Sequence, residues 1–261
     1  MEHRMQDIVI PNFDLTGKTA VITGGTKGLG YGMALTLAHY GADVAVASRT
    51  EADCRRVAKE IESLGRRSAG IVADVTDVAS CDALIEKAAA ALGKIDIMIC
   101  NAGVGSTAIA TDMTEEQWDH VNDVDIKGVF FSARAAARQM IAQGTGGKII
   151  CVSSAAAMGG SKGIAHYCAA KAAVVNLVKA LAIEWARYGI TVNAVCPGYV
   201  PTSINEKTLS NEKVKERIEK HALVRRLGRI EEISAPVLLL ASNFSGYITG
   251  TSILVDGGGR A

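Results

Sequence analysis

The sequence predicts an α/β fold, with a parallel sheet covered by helices on both faces in one domain. Short apolar runs alternate with longer amphipathic stretches along the chain, and a βαβα alternation implies such a sheet. The runs are apolar at nearly every position, as strands buried on both faces are. No repeat, low-complexity tract or linker interrupts the pattern. Of the 261 residues, 49% are hydrophobic and 21% charged, which suits a globule with a full core.

Met1 to Asp14 mixes charged and apolar residues and has no signal-peptide core, so 1–14 reads as a loose N-terminal arm before a domain over 15–261. The first strand is "KTAVIT", followed by a helix over Leu29 to Tyr40. "ADVAVAS" is the second strand and Glu51 to Leu64 its helix. "SAGIVAD" leads to a helix from Val78 to Leu92, and "IDIMIC" to a long helix starting at a Thr114 cap. "GKIICVSS" precedes a helix through "YCAAKAAVVNLVKALAIEWA", and then come "ITVNAVC" and "SILVDGG". Tyr199 to Gly228 breaks the alternation, is rich in Lys and Glu, and reads as an inserted helical flap. The net charge of +1 offers no field for nucleic acid or an anionic membrane, so neither is an expected partner. No apolar run is long enough to span a bilayer. The six cysteines form no CxxC pair and have no His cluster beside them, so a metal site is not expected. Without an export signal, they read as free thiols in a reducing cytoplasm.

"TGGTKGLG", Thr23 to Gly30, links the first strand to the first helix. Backbone amides at a helix start attract phosphate, and glycines let the backbone approach it. Gly24, Thr26, Lys27, Gly28, Leu29 and Gly30 are therefore candidate cofactor contacts. The second strand ends at Ser48 and Arg49, where an acid would bind the hydroxyls of an adenosine ribose. Two cations, Lys27 and Arg49, and no carboxylate suit a 2′-phosphate. NADP(H) is the expected cofactor, with NAD(H) left open. Replacing both cations by Ala should weaken NADPH far more than NADH.

"YCAAK" places Tyr167 and Lys171 four residues apart on one helix face. A nearby cation stabilises a phenolate, which makes such a tyrosine a usable proton donor and acceptor. Ser154 ends the preceding strand, where its hydroxyl can bind a carbonyl oxygen alongside Tyr167.

"TGGTKGLG", "NAG" (Asn101, Ala102, Gly103), Ser154, "YCAAK" and Pro197-Gly198 occur in this order. The set resembles the short-chain dehydrogenase/reductase family from about Leu15 to the C-terminus. The resemblance implies a single-domain, Rossmann-like three-layer fold with a parallel seven-stranded sheet, in a homotetramer or homodimer. It also implies hydride transfer between a nicotinamide cofactor and an alcohol or ketone. Tyr167 would be the acid–base, Ser154 the partner of the substrate oxygen, and Lys171 would hold the nicotinamide ribose. Asp74 and Val75 match adenine contacts, and Asn101 a residue supporting the central sheet. Val200 and Thr202 match positions holding the carboxamide end of the cofactor.

Asp125 stands where many members carry asparagine, a fourth catalytic residue whose main-chain carbonyl holds a water at a helix distortion. Trp118, Val121, Asp125, Gly128 and Ser132 share a stripe at helical spacing, so the carboxylate should face inward. An ionised carboxylate only accepts hydrogen bonds, so its oxygens must meet donors, or it must be protonated. Asn122 lies on another part of the helix and is not expected to stand in. Asp125→Asn should leave activity within about tenfold, roughly 1.4 kcal/mol in barrier.

Substrate choice falls to the loops at the carboxyl ends of the strands. Val104 to Thr107, Ala155 to Met158, His166 and the flap are candidate walls, with His166 either meeting substrate or solvated. No pair of arginines stands in these loops to clamp a strongly anionic substrate. A ketose, polyol or sugar acid is the first expectation, by resemblance to a branch of NADP-dependent carbonyl and ketose reductases carrying the Asp. A hydroxysteroid or an aryl or aliphatic ketone is the alternative. A non-catalytic cofactor-binding protein is a different class, which Tyr167→Phe separates by losing turnover while keeping cofactor. An epimerase or dehydratase would consume no net cofactor.

Overall fold

In the computed structural model, residues 9–261 are described. The expected arm over 1–14 therefore lies mostly outside the described residues. Its visible end is irregular, and Phe13 packs edge-on against Phe244 with ring centroids 6.3 Å apart.

Seven parallel strands form one sheet in the order β3-β2-β1-β4-β5-β6-β7. They are β1 (Thr19–Thr23), β2 (Asp43–Ser48), β3 (Ser68–Val72), β4 (Ile97–Cys100), β5 (Gly147–Val152), β6 (Ile190–Pro197) and β7 (Ser252–Val255). β1, β4 and β6 are buried throughout and β2 nearly so. The edge strands β3 and β7 are partly exposed, because each lacks a neighbour on one side. The expectation of strands buried on both faces therefore holds for the centre and not for the edges.

Alternate residues along each strand point to opposite faces, and this makes two cores. Val21, Met98, Ile149 and Val192 pack with α3 (Val78–Leu92), α5 (Val129–Gln143) and α6 (Ala165–Trp185). Ile22, Val46, Ile99 and Val195 pack with α1 (Gly28–His39), α2 (Glu51–Ser63) and α9 (Ile230–Ala241). Truncating a fully buried side chain in either core, such as Leu37 or Met140, costs about 2–5 kcal/mol.

The helix beginning at Thr114 starts in a capping box, with Gln117 N–H donating to Thr114 Oγ1 at 3.3 Å and Thr114 N–H to Gln117 Oε1 at 3.1 Å. It runs as α4 (Glu115–Asn122), passes through a π-helical turn over Asp123–Gly128 and continues as α5. A π turn carries an extra residue, so a stripe drawn at constant period through it drifts. Val121, Asp125, Gly128 and Ser132 do face inward, but Trp118 is 43% exposed. Asn122 donates to its own helix at Trp118 O, 2.8 Å away.

Sequence periodicity missed α9. Pro236 lies inside it and supplies no N–H to the carbonyl four residues back, so the segment reads as broken. Packing carries it: Ile233, Val237 and Leu240 are buried in the second core. Between β6 and α9, residues 199–228 hold two short helices, α7 (Glu206–Leu209) and α8 (Glu212–His221), with no fully buried residue in either. No helix among the described residues is long and apolar enough to cross a membrane.

Candidate active site

The carboxyl ends of the strands open into a cleft of about 410 Å³. All the residues singled out as catalytic or cofactor-binding in the sequence line it, from the glycine turn to Thr202.

The turn after β1 depends on its glycines. Gly24 and Gly28 have φ of +63° and +53°, the left-handed region that glycine adopts at little cost. A Cβ on Gly30 would lie 2.1 Å from Gly24 O, so no side chain fits there. No side chain caps the start of α1 at Lys27, which leaves its first N–H groups open to an anion. Asn101 Nδ2 donates to Thr23 O and Gly24 O, both at 3.0 Å, and ties β4 to this turn. Thr23 Oγ1 in return accepts from Asn101 N–H at 3.0 Å and Ala102 N–H at 3.1 Å. Thr23 was not legible as a site residue because it reads as the last residue of an apolar strand. These uncapped amides and the close backbone approach fit a pyrophosphate.

At the end of β2, Arg49 is exposed and makes no ion pair with a described residue. Lys27 is not free: its Nζ is 2.9 Å from Asp53 Oδ2. Asp53 stands in the first turn of α2 and lines the same cleft. The expectation of two cations and no carboxylate is corrected here, because the first turn of α2 brings an acid back beside the glycine turn. Arg56 Nη2 lies 3.9 Å from Asp53 Oδ1 and donates to Thr26 O at 3.0 Å. Asp74 Oδ1 accepts from Thr76 N–H at 3.0 Å and Thr76 Oγ1 at 2.8 Å. These bonds, with a smaller contribution from Arg49, hold the Asp74 carboxyl below its ordinary range.

Ser154, Tyr167, Lys171 and Asp125 meet at the inner wall of the cleft. Ser154 sits just past β5, and its Oγ accepts from Ala156 N–H at 3.1 Å. Lys171 Nζ lies 5.6 Å from the Tyr167 ring centroid and donates to Val152 O at 3.2 Å. Ser153, also overlooked in the sequence, donates to Lys171 O at 2.8 Å and holds α6 against β5.

Asp125 is fully buried. Its Oδ1 accepts from Val104 N–H at 2.8 Å, and its Oδ2 is 3.4 Å from Lys171 Nζ, an ion pair without hydrogen-bond alignment. Burial pushes the Asp125 carboxyl up, opposed by Lys171 and the Val104 N–H. Burial also pushes Lys171 down, but the facing Asp125 carboxylate, with smaller contributions from Tyr167 and Cys151, leaves it raised. The two groups are a charged pair in which each needs the other.

Val104, Ser203 and Ile204 line the outer cleft. His166 is fully buried, not solvated, with Nε2 2.6 Å from Ser106 Oγ and no described partner for Nδ1. Arg260, near the end of the chain, reaches the 159–161 loop, with Nη2 3.4 Å from Ser161 Oγ. That cation escaped the sequence reading because it lies about a hundred residues from the loop it touches, a separation of 99. No cluster of three or more His, Cys, Asp or Glu suited to a metal occurs among the described residues.

A family model described as enoyl-(acyl carrier protein) reductase matches residues 24–259. The chain is 38% identical over 251 residues to the 2-dehydro-3-deoxy-D-gluconate 5-dehydrogenase of Dickeya dadantii, covering 96% of this chain and 98% of that protein. It is 36% identical over 245 residues to the L-rhamnose 1-dehydrogenase (NAD(P)(+)) of a Sphingomonas species, covering 94% and 96%. Among solved structures, a gluconate 5-dehydrogenase from Burkholderia cenocepacia in complex with NADP and tartrate aligns with a TM-score of 0.91 at 34% identity, over 94% of this chain and 96% of that one.

Proposed function

The chain belongs to the short-chain dehydrogenase/reductase family, and from that premise we propose that it transfers a hydride between NADP(H) and a sugar acid or related ketose or polyol. It is an oxidoreductase that acts on CH–OH groups with a nicotinamide cofactor. The observation that carries the catalytic reading is the convergence of Ser154, Tyr167 and Lys171 on the cleft that the glycine turn opens.

When bound, the nicotinamide supplies the hydride acceptor or donor. In the oxidative direction Tyr167 Oη takes the hydroxyl proton of the substrate, and Ser154 Oγ donates a hydrogen bond to the same oxygen. Lys171, held by Val152 O and Asp125, offers the positive charge that balances the tyrosine oxygen while it is the negative acceptor, before it takes the proton. The amides of Gly28, Leu29 and Gly30 would hold the pyrophosphate, and Asp74 and Val75 would flank the adenine. Pro197, Gly198, Val200 and Thr202 would bound the carboxamide end. Thr202 N–H donates to Asn205 Oδ1 at 2.9 Å, which fixes that loop.

The names of the relatives support the sugar-acid class, and Arg260, a cation at the loop between Ser154 and Tyr167, is the residue we assign to its carboxylate. The test is initial rates with NADPH and NADH against sugar acids, neutral ketoses, steroids and small ketones, in both directions. We expect turnover of a sugar acid, and Arg260→Ala should raise its KM about tenfold while leaving a neutral ketose unchanged. Turnover confined to steroids or aryl ketones would overturn the substrate class.

We also infer a homotetramer or homodimer. On α6, Ala172, Val175, Lys179 and Ala182 follow one another at helical spacing; Ala172 and Lys179 are exposed, Val175 is half-buried and Ala182 is buried. Ile183, one turn on, is 81% exposed, an apolar side chain that an isolated chain leaves in water. A monomeric mass in sedimentation equilibrium contradicts it.

A further inference from the structure

We propose that Asp53 sets the choice between NADPH and NADH, acting as the acceptor for an unphosphorylated ribose and as a like charge that opposes the 2′-phosphate. The inference rests on the cofactor reading above and concerns a residue that reading does not use. Asp53 faces the cleft beside Ser48 and Arg49, the position where the adenosine ribose belongs. Its side chain is about a fifth exposed, at 22%, so it is accessible to a ligand without being lost in solvent.

The geometry gives the site two sets of partners. For NADPH the donors are Lys27, Arg49 and the hydroxyl of Ser48, and a phosphate monoester bears close to two negative charges at neutral pH. Lys27, however, already lies 2.9 Å from the Asp53 carboxylate. A phosphate drawing on Lys27 must compete with Asp53 and tolerate a like charge beside it. For NADH, the carboxylate that opposes the phosphate accepts hydrogen bonds from ribose hydroxyls, as acids in this region of dinucleotide folds do. Arg56, between Asp53 and Thr26 O, limits the retreat of the carboxylate. A site with both sets binds both cofactors, and the charge on Asp53 sets the ratio.

The test is direct binding by titration calorimetry of NADPH, NADH, 2′,5′-ADP and 5′-ADP to wild type, Asp53→Asn and Asp53→Ala. The two short nucleotides read the ribose site without the nicotinamide. Asp53→Asn removes the charge and keeps the shape, and should tighten NADPH and 2′,5′-ADP. Asp53→Ala removes the acceptor, and should weaken NADH and 5′-ADP. In each variant the NADPH-to-NADH affinity ratio should rise about tenfold, which is about 1.4 kcal/mol. An unchanged ratio overturns the proposal, and so does an equal loss for all four ligands, which would mark Asp53 as only a structural partner of Lys27. Lys27→Ala with Arg49→Ala tests the phosphate reading separately. If NADPH is indifferent to that pair, the NADP preference fails, while Asp53 is still judged by NADH and 5′-ADP binding to Asp53→Ala.

Discussion

A fully buried aspartate in contact with a fully buried lysine is the feature of the site most sensitive to a single atom. Charges taken from water need partners, and removing one partner of a buried pair costs about 3–5 kcal/mol because the other is left alone. Lys171→Met should therefore destabilise the fold by about that amount, and the double variant with Asp125→Asn should recover part of it, both read by urea denaturation. No recovery would mean that the lysine acts through packing alone. Asp125→Asn by itself keeps an oxygen for the Val104 N–H, so activity should stay within about tenfold. Its pH profile should change more than its maximum. With the carboxylate gone, burial of Lys171 is opposed only by the weaker influence of Tyr167 and Cys151, so its pKa falls and its charge is lost at lower pH. The alkaline limb of kcat/KM should move down, and an unmoved limb would show that the pair does not govern the active charge state. The need for a partner was legible from the sequence. That the partner is Lys171 was not, because the two are brought together by a π turn whose phase no helical periodicity reveals.

Elements whose length and period agree with their packing were readable, and the exceptions have local causes. Five helices and seven strands fall within a few residues of where apolar runs and caps put them, the long helix from Thr114 being divided by the π turn into α4 and α5. α9 was hidden by Pro236, and Asp53 went unnoticed because the strand end was read without the first turn of the following helix. Between elements, Asp43 at the start of β2 pins the turn before β3: it accepts from Arg67 Nε at 2.8 Å, Arg67 N–H at 3.0 Å and Arg66 Nη2 at 3.0 Å. Burial pushes its carboxyl up, but the two arginines prevail and hold it below the ordinary value of 3.8. A carboxylate lowered on folding stabilises the native state above its unfolded value, and that contribution is lost as pH falls through the folded one. Asp43→Asn should thus be less stable at pH 7 and should lose less on acidification below about pH 4. Urea midpoints across that range check it, and parallel acid limbs for variant and wild type would contradict it.

Across the whole molecule, the sheet order places β1 between β2, its neighbour in sequence, and β4, which is remote. The seam between β1 and β4 is fastened by Thr19 N–H on Asp96 Oδ2 at 2.8 Å, residues 77 apart. Contacts of such long separation form late, since the intervening loop must be closed before they stabilise anything. Nucleotide-induced fluorescence quenching should therefore return during refolding with the rate constant of the slowest folding phase, and quenching that precedes it would sink the idea. A parallel sheet, strand by strand, was foreseeable from apolar runs; which strands become neighbours across the seam was foreseeable only by resemblance. The seam also sets an order of events during synthesis. Asn101 Nδ2, which clamps Thr23 O and Gly24 O, leaves the ribosome long after the turn it clamps. A nascent chain therefore carries the whole glycine motif while still blind to nucleotide, and it gains sight only when β4 slides in beside β1.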